Sequence, residues 1–338
     1  MTTRGAAGRR YVIVGAGAVG GMLAAQFTQA GIKAVLVARG AQLAAIRSNG
    51  LRMLRPSGAE VVRLEVVGSP AEVRLAPGDV LVMATKAQHA EAALQEWAWQ
   101  PVQGVANATA ASTLPVLMLQ NGLDSERVAL RRFATVYSAS IWAAATYLKA
   151  GEICAAGAPK VGVFWMGRFP SGTDAMLDGI ADDLRAAAYL VQVVPDVQRW
   201  KVAKLLGNLR NAVQVLDGTE EQRAELTALL AAEAKAAFTA AGLGWSDVKA
   251  ESTFDLAQYA THRIPDYPDS KLSTWQSFQR GAGSVEVDFL NGEIVLLGRL
   301  HGVATPCNEA LQRILGISAA SSEAPGTRTV DAVLAHRA

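Results

Sequence analysis

Arg10-Tyr-Val-Ile-Val-Gly-Ala-Gly-Ala-Val-Gly20 decides the fold of this chain. Arg10 to Val14 is short, apolar and β-branched, so it reads as a buried strand, and an apolar helical pattern runs on from Val19 to Ala30. Between them, each glycine of the turn has its own physical reason. Gly15 allows the tight turn, Gly17 lets backbone approach a pyrophosphate with no side chain in the way, and Gly20 lets helix and strand pack closely. Ala16, Ala18 and Val19 complete the turn, where backbone N–H groups and the positive end of the helix dipole face phosphate. Gly31 ends the helix and Ile32 to Val37 reads as a second strand, completing a strand–turn–helix–strand unit that binds a dinucleotide.

The end of that second strand chooses the cofactor. An NAD(H) site needs an acidic residue there to accept a hydrogen bond from the ribose 2′-hydroxyl. Here Val35-Leu-Val-Ala-Arg39 ends in Ala38 and Arg39, 19 residues beyond Gly20. The permanently charged fork of an arginine suits a 2′-phosphate, so the residues predict NADP(H).

Outward from this unit, strand candidates at 61–67, 79–84 and 115–119 alternate with helical or turn segments, which implies a mostly parallel sheet covered on both faces. Extended stretches at 136–147 and 159–166, a helix over 173–190 and a strand at 191–194 finish it. From Asp196 the helical period takes over, with helices expected over 197–216, 220–241, 271–280, 285–300 and 305–315. The expected fold is therefore α/β, a Rossmann-type doubly wound sheet over 1–195, followed by an all-helical domain over 196–320. A loose tail is expected over 321–338.

Composition excludes several classes. Of 338 residues, 51% are hydrophobic and 18% charged, enough apolar material for large cores. The net charge of +2 has no concentrated basic run behind it, so no nucleic-acid partner is expected. Charges interrupt every apolar stretch before the length a bilayer requires, and the polar, basic start lacks a signal-peptide hydrophobic region. Cys154 and Cys307 stand far apart and read as reduced, buried thiols of a soluble cytoplasmic protein. His89, His262 and His301 have no metal-ligand spacing, so no metal is expected. A homodimer is compatible with the sequence, which does not set the oligomeric state.

The chain resembles the ketopantoate reductase (2-dehydropantoate 2-reductase) family over nearly its whole length. The resemblance is carried, in order, by Val12 to Gly20, Leu36-Val-Ala-Arg-Gly40, Val82-Met-Ala-Thr-Lys86, Leu119-Gln-Asn-Gly-Leu123, Trp200 to Asn208, and Val285-Glu-Val-Asp-Phe-Leu-Asn-Gly292 followed by His301-Gly-Val-Ala-Thr-Pro306. It implies reduction by NADPH of the ketone of a branched 2-oxo acid, 2-dehydropantoate to pantoate in pantothenate biosynthesis, at a cleft between the two domains. In that scheme Lys204 is the proton donor and Glu286 touches the cofactor and organises the site. Lys86 binds cofactor, Asn121 lies between nicotinamide and substrate, and Asn208 and Thr274 hold substrate. The lysine's role makes chemical sense, because hydride arriving at a carbonyl carbon leaves a developing alkoxide that an ammonium both stabilises and protonates. Asn208, four residues on, shares its helix face.

The resemblance frays at the substrate end. The family's second helix asparagine would fall at Ala212, whereas this chain has Asn211, and the family's serine becomes Thr274. Lys271 and Trp275 also depart from the pattern. Two other readings therefore stand beside the reductase: a relative acting on a bulkier hydroxy or keto compound, and a non-catalytic NADP-binding sensor.

Overall fold

The parallel sheet that the glycine turn implies is present in the computed structural model, which describes residues 8–147, 149–265, 267, 272–281 and 283–337. Its strands are β1 (Arg10–Val14), β2 (Lys33–Val37), β3 (Leu51–Arg55), β4 (Gly58–Val62), β5 (Glu65–Val67), β6 (Asp79–Met83), β7 (Val116–Met118), β8 (Val136–Trp142), β9 (Ala145–Thr146), β10 (Glu152–Ala155), β11 (Gly157–Pro159), β12 (Gly162–Arg168), β13 (Tyr189–Val193) and β14 (Tyr259–Thr261). The helices are α1 (Ala18–Gln29), α2 (Gly40–Asn49), α3 (Ala87–Ala98), α4 (Ala110–Thr113), α5 (Ser125–Leu130), α6 (Ala175–Ala186), α7 (Val197–Asn208), α8 (Arg210–Val213), α9 (Glu220–Ala240), α10 (Val248–Glu251), α11 (Ser273–Gln279), α12 (Asn291–His301), α13 (Pro306–Ala320) and α14 (Val330–Leu334). The chain divides into two compact units. The first is Met1–Gln120, Ser125–Gln198 and Lys249–Ser270; the second is Asn121–Asp124, Arg199–Val248 and Lys271–Ala338.

The first unit is organised by an eight-stranded sheet in the order β13-β12-β8-β7-β6-β1-β2-β5. From β5 to β8 the strands are parallel, and their order is the 3-2-1-4-5-6 of the dinucleotide-binding doubly wound fold. β12 then joins antiparallel and β13 parallel to it. Both faces are buried, which is why these strands read as continuous apolar runs. Along β1, Tyr11 and Ile13 face one hydrophobic cluster while Val12 and Val14 face the other; Val80 and Val82 oppose Leu81 and Met83 in the same way along β6.

Three expectations need correction here. The single strand expected over 61–67 is two: β4 pairs with β3 in a smaller sheet, β4-β3-β10-β9, and β5 closes the edge of the large one. Arg63 and Leu64, which join them, carry no turn residue to mark the break. The helix expected to run to 190 stops at Ala186, because Ala188 takes a left-handed backbone (φ 67°) where a glycine would have signalled the end. The stretch expected as a loose tail carries α14, whose Val330 and Val333 are fully buried in the core of the second unit.

The second unit is helical. Its long helix α9 opens on a capping box between Thr219 and Gln222 and buries Leu226, Leu230, Ala234, Ala237 and Phe238 along one stripe. Against that core lie Val202 and Leu205 of α7, Ala212 and Val213 of α8, and Leu209 between the two helices. Among the described residues, no helix is long and apolar enough to cross a membrane.

Candidate active site

In the first unit the strand order reverses between β1 and β6, and an open α/β sheet binds its ligands outside the carboxyl ends of strands at such a point. Backbone bonds fix that edge: Gly15 N–H donates to the Val37 carbonyl (3.1 Å) and Ala84 N–H to the Val14 carbonyl (2.9 Å). Gln120 ties in the end of β7 by donating to the carbonyls of Met83 (2.9 Å) and Thr85 (3.0 Å).

The three glycines each meet a different constraint. Gly15 has φ 114°, and a Cβ there would lie 2.8 Å from the Thr85 amide nitrogen. At Gly20 a Cβ would lie 1.9 Å from the Gly15 carbonyl oxygen. Gly17, by contrast, caps α1 with an ordinary backbone and faces open space within 4 Å. Its missing side chain is therefore not required by the fold, which fits a ligand phosphate at that spot. The first turn of α1 has no acidic residue and no side-chain cap among the described residues, so its N–H groups suit an anion. Thr85 Oγ1 is buried there without a hydrogen-bond partner, a second observation that fits a polar ligand.

Two further first-unit residues were not singled out in the sequence. Gln42 is buried, donates to the Ala16 carbonyl (2.9 Å) and accepts from Gly151 N–H (2.6 Å), pinning the glycine turn to the loop before β10. Glu96 on α3 pairs with Arg39, which caps the start of α2. Lys86 directly precedes α3.

In the second unit α7 and α8 continue one another through Leu209, whose backbone is also helical (φ −56°, ψ −34°). Beside their apolar stripe, one position earlier in the chain each time, runs a polar one at helical spacing: Lys201, Lys204, Asn208 and Asn211. Lys201, which the sequence reading passed over, is buried, and Lys204 and Asn208 are half-buried. The spacing from Lys204 was the available signal, since i−3 lies on the same face. Asn208 Nδ2 is buried with no hydrogen-bond partner.

α11 lies beside this stripe. Its start is held by Leu272 N–H donating to Gln214 Oε1 (2.8 Å), and Asn211 Nδ2 approaches Ser273 Oγ (3.5 Å). Thr274, on the next position, is 3% exposed, and its Oγ1 likewise has no hydrogen-bond partner. These two unsatisfied groups lie in neighbouring elements, and a polar ligand would satisfy both. Trp275 packs partly buried against the hydrophobic core of the unit. Lys271 lies outside the described residues.

Glu286 is buried at the start of a short 3-10 turn ending at Phe289. The loop carrying Asn121 abuts the same turn. At Gly122 (φ 82°) a Cβ would fall 2.5 Å from the Phe289 carbonyl oxygen, so only glycine permits this approach. Asn121, Lys204, Asn208, Asn211, Thr274 and Glu286 thus all belong to the second unit, although Asn121 follows closely on β7 of the first.

Both cysteines are free and buried; burial pushes the Cys154 thiol up to about 11, and burial together with nearby Glu233 does the same at Cys307. Among the described residues no group of His, Cys, Asp and Glu could hold a metal ion.

A parallel sheet that reverses its strand order beside a glycine turn, followed in one chain by a helical unit, is the architecture of a dinucleotide-binding oxidoreductase. Within that class the chain belongs to the ketopantoate reductase family. The family model "Ketopantoate reductase PanE/ApbA" matches residues 11–171, and its C-terminal counterpart matches 196–318. A 2-dehydropantoate 2-reductase of Mycobacterium tuberculosis is 29% identical over 324 residues, covering 93% of this chain and 98% of that one. Among solved structures, a PanE/ApbA family ketopantoate reductase from Ralstonia eutropha JMP134 is 23% identical with a TM-score of 0.72, covering 92% of this chain and 99% of that one. D-mandelate dehydrogenase in complex with NADH and anilino(oxo)acetate is 21% identical with a TM-score of 0.74, covering 93% and 99%. The enzyme therefore acts on a CH–OH group or the corresponding ketone with a nicotinamide cofactor.

Proposed function

We propose that the chain is an NADP(H)-dependent reductase of a branched 2-oxo acid, 2-dehydropantoate or a close analogue, with Lys204 as the proton donor. The observation that carries this reading is the pair of unpartnered buried groups, Asn208 Nδ2 and Thr274 Oγ1, on the elements that carry and flank Lys204. A 2-oxo acid offers a carboxylate and a ketone oxygen, acceptors for a donor amide and a hydroxyl. A bound nicotinamide dinucleotide supplies the hydride. Lys204 stabilises the negative charge that grows on the ketone oxygen and delivers a proton to it, while Asn208 and Thr274 hold the substrate in place. Glu286, buried at the head of its turn, orders the site, and Asn121 contributes an amide. Gly15 to Gly20 receive the pyrophosphate, Lys86 adds a cation at the strand edge, and Arg39 takes the 2′-phosphate. Two buried, protonated thiols fit a reducing cytoplasm.

The test is NADPH oxidation with 2-dehydropantoate and a panel of 2-oxo acids; no turnover with any of them rejects the reading. The displacement of the second asparagine to Asn211 favours a second reading in which the acid is bulkier. An aryl 2-oxo acid in the panel, chosen because D-mandelate dehydrogenase shares the fold, decides between them by relative kcat/KM.

A further inference from the structure

We propose that Glu96 is a selectivity residue that weakens the hold of Arg39 on a 2′-phosphate and so narrows the preference of this enzyme for NADP(H) over NAD(H). The inference rests on the assignment of Arg39 to that phosphate. Arg39 sits at the carboxyl end of β2 with extended backbone, and its side chain is 71% exposed. Its Nη2 donates to Glu96 Oε2, on a residue 57 positions away in the last turn of α3 whose side chain is 32% exposed. No spacing rule in the sequence links the two.

The chemistry of the pair is unequal toward the two cofactors. With Nη2 engaged by Glu96, a guanidinium still has its Nε and Nη1 donors for an arriving phosphate, because its five N–H bonds point along separate edges of one plane. The carboxylate of Glu96 then stands one guanidinium width from a dianionic group and repels it. A ribose 2′-hydroxyl carries no charge and feels no such repulsion. Glu96 therefore penalises one cofactor and spares the other. The pair is partly open to solvent, so the penalty is small and sensitive to salt.

The test is direct titration of NADP⁺ and NAD⁺ against the full-length protein by calorimetry, at low salt and at high salt. Glu96→Gln keeps the size of the side chain and removes its charge. Expected at low salt is tighter NADP⁺ binding by about two- to fivefold, the range of an exposed ion pair, with NAD⁺ nearly unchanged. The gain shrinks at high salt. Unchanged or weaker NADP⁺ binding in Glu96→Gln, or equal tightening of both cofactors, overturns the inference. Arg39→Ala alone separates the two layers. If it weakens NADP⁺ selectively while Glu96→Gln does nothing, the inference fails and the assignment of Arg39 stands. If it weakens both cofactors equally, the assignment fails and the inference falls with it.

Discussion

At the carboxyl edge of the first unit, the groups that can meet a ligand are mostly backbone; on the α7–α8 stripe and α11 of the second, they are side chains. The glycine turn works by what is missing from it, since a Cβ at Gly15 or Gly20 collides with neighbouring backbone while one at Gly17 meets nothing in the protein. On the proposed reading the stripe and α11 work by what each residue carries: an ammonium at Lys204, an amide at Asn208, a hydroxyl at Thr274. A backbone site is fixed once its turn is fixed. A side-chain site can be retuned one residue at a time, and of the four departures expected from the family pattern Asn211, Thr274 and Trp275 fall there, while Lys271 lies outside the described residues.

The largest effect that would break this contrast is expected at Lys204. Lys204→Ala should lower kcat on the order of 10²- to 10⁴-fold, the usual contribution of a positioned acid or base, with dinucleotide affinity retained. Steady-state rates paired with cofactor titration check it. An unchanged kcat would remove Lys204 from the chemistry and leave the stripe as a binding surface only.

Next in size is Arg39→Ala. Loss of a charge-assisted interaction with a phosphate should weaken NADPH by about ten- to a hundredfold and NADH by far less. The measurement is the ratio of the two dissociation constants, and an unmoved ratio contradicts the cofactor assignment.

Gly17→Ala should separate folding from binding in the backbone site. Its Cβ would point into open space, so thermal stability should shift by no more than about 0.5 kcal/mol. Both NADPH and NADH should weaken by roughly tenfold, because the new methyl group occupies the approach of the pyrophosphate. Retained affinity for both would mean that the phosphates pass elsewhere.

These expectations differ in how far the sequence alone could supply them. Gly15, Gly17 and Gly20 are legible because a phosphate turn is local: the strand, the turn and the helix that give it meaning all lie within Arg10 to Gln29. The split of 61–67 into β4 and β5 was not legible, since pairing in two different sheets is decided by partners far along the chain. The Arg39–Glu96 pair and the role of Gln42 are long-range in the same sense. Lys204 on its own would read as a solvated helix lysine, and its family context gave it a role. Lys201 lay within reach of helical spacing and was missed. The seating of Asn121 beside the Glu286 turn required the structure, because it depends on Gly122 passing the Phe289 carbonyl.

The smallest expected effect is the most diagnostic for the substrate half. Thr274→Val replaces a hydroxyl by a methyl group of nearly the same shape. The Oγ1 it removes is buried and has no hydrogen-bond partner, so the folded protein loses no bond and sheds an unsatisfied group. Stability should therefore hold or rise, and thermal unfolding of the unliganded protein reads it. If the hydroxyl serves a bound 2-oxo acid, the same substitution should raise KM by about two- to tenfold, the range of one neutral hydrogen bond, and change kcat much less than Lys204→Ala does. Thr274→Ser keeps the hydroxyl and should keep KM near the parent value at some loss of stability from the missing methyl group. Opposite movements of stability and KM in Thr274→Val would mark a group that the fold tolerates for the sake of a ligand. A fall in stability with no change in KM would mark Thr274 as a core residue, and would leave Asn208 alone to hold the substrate beside Lys204.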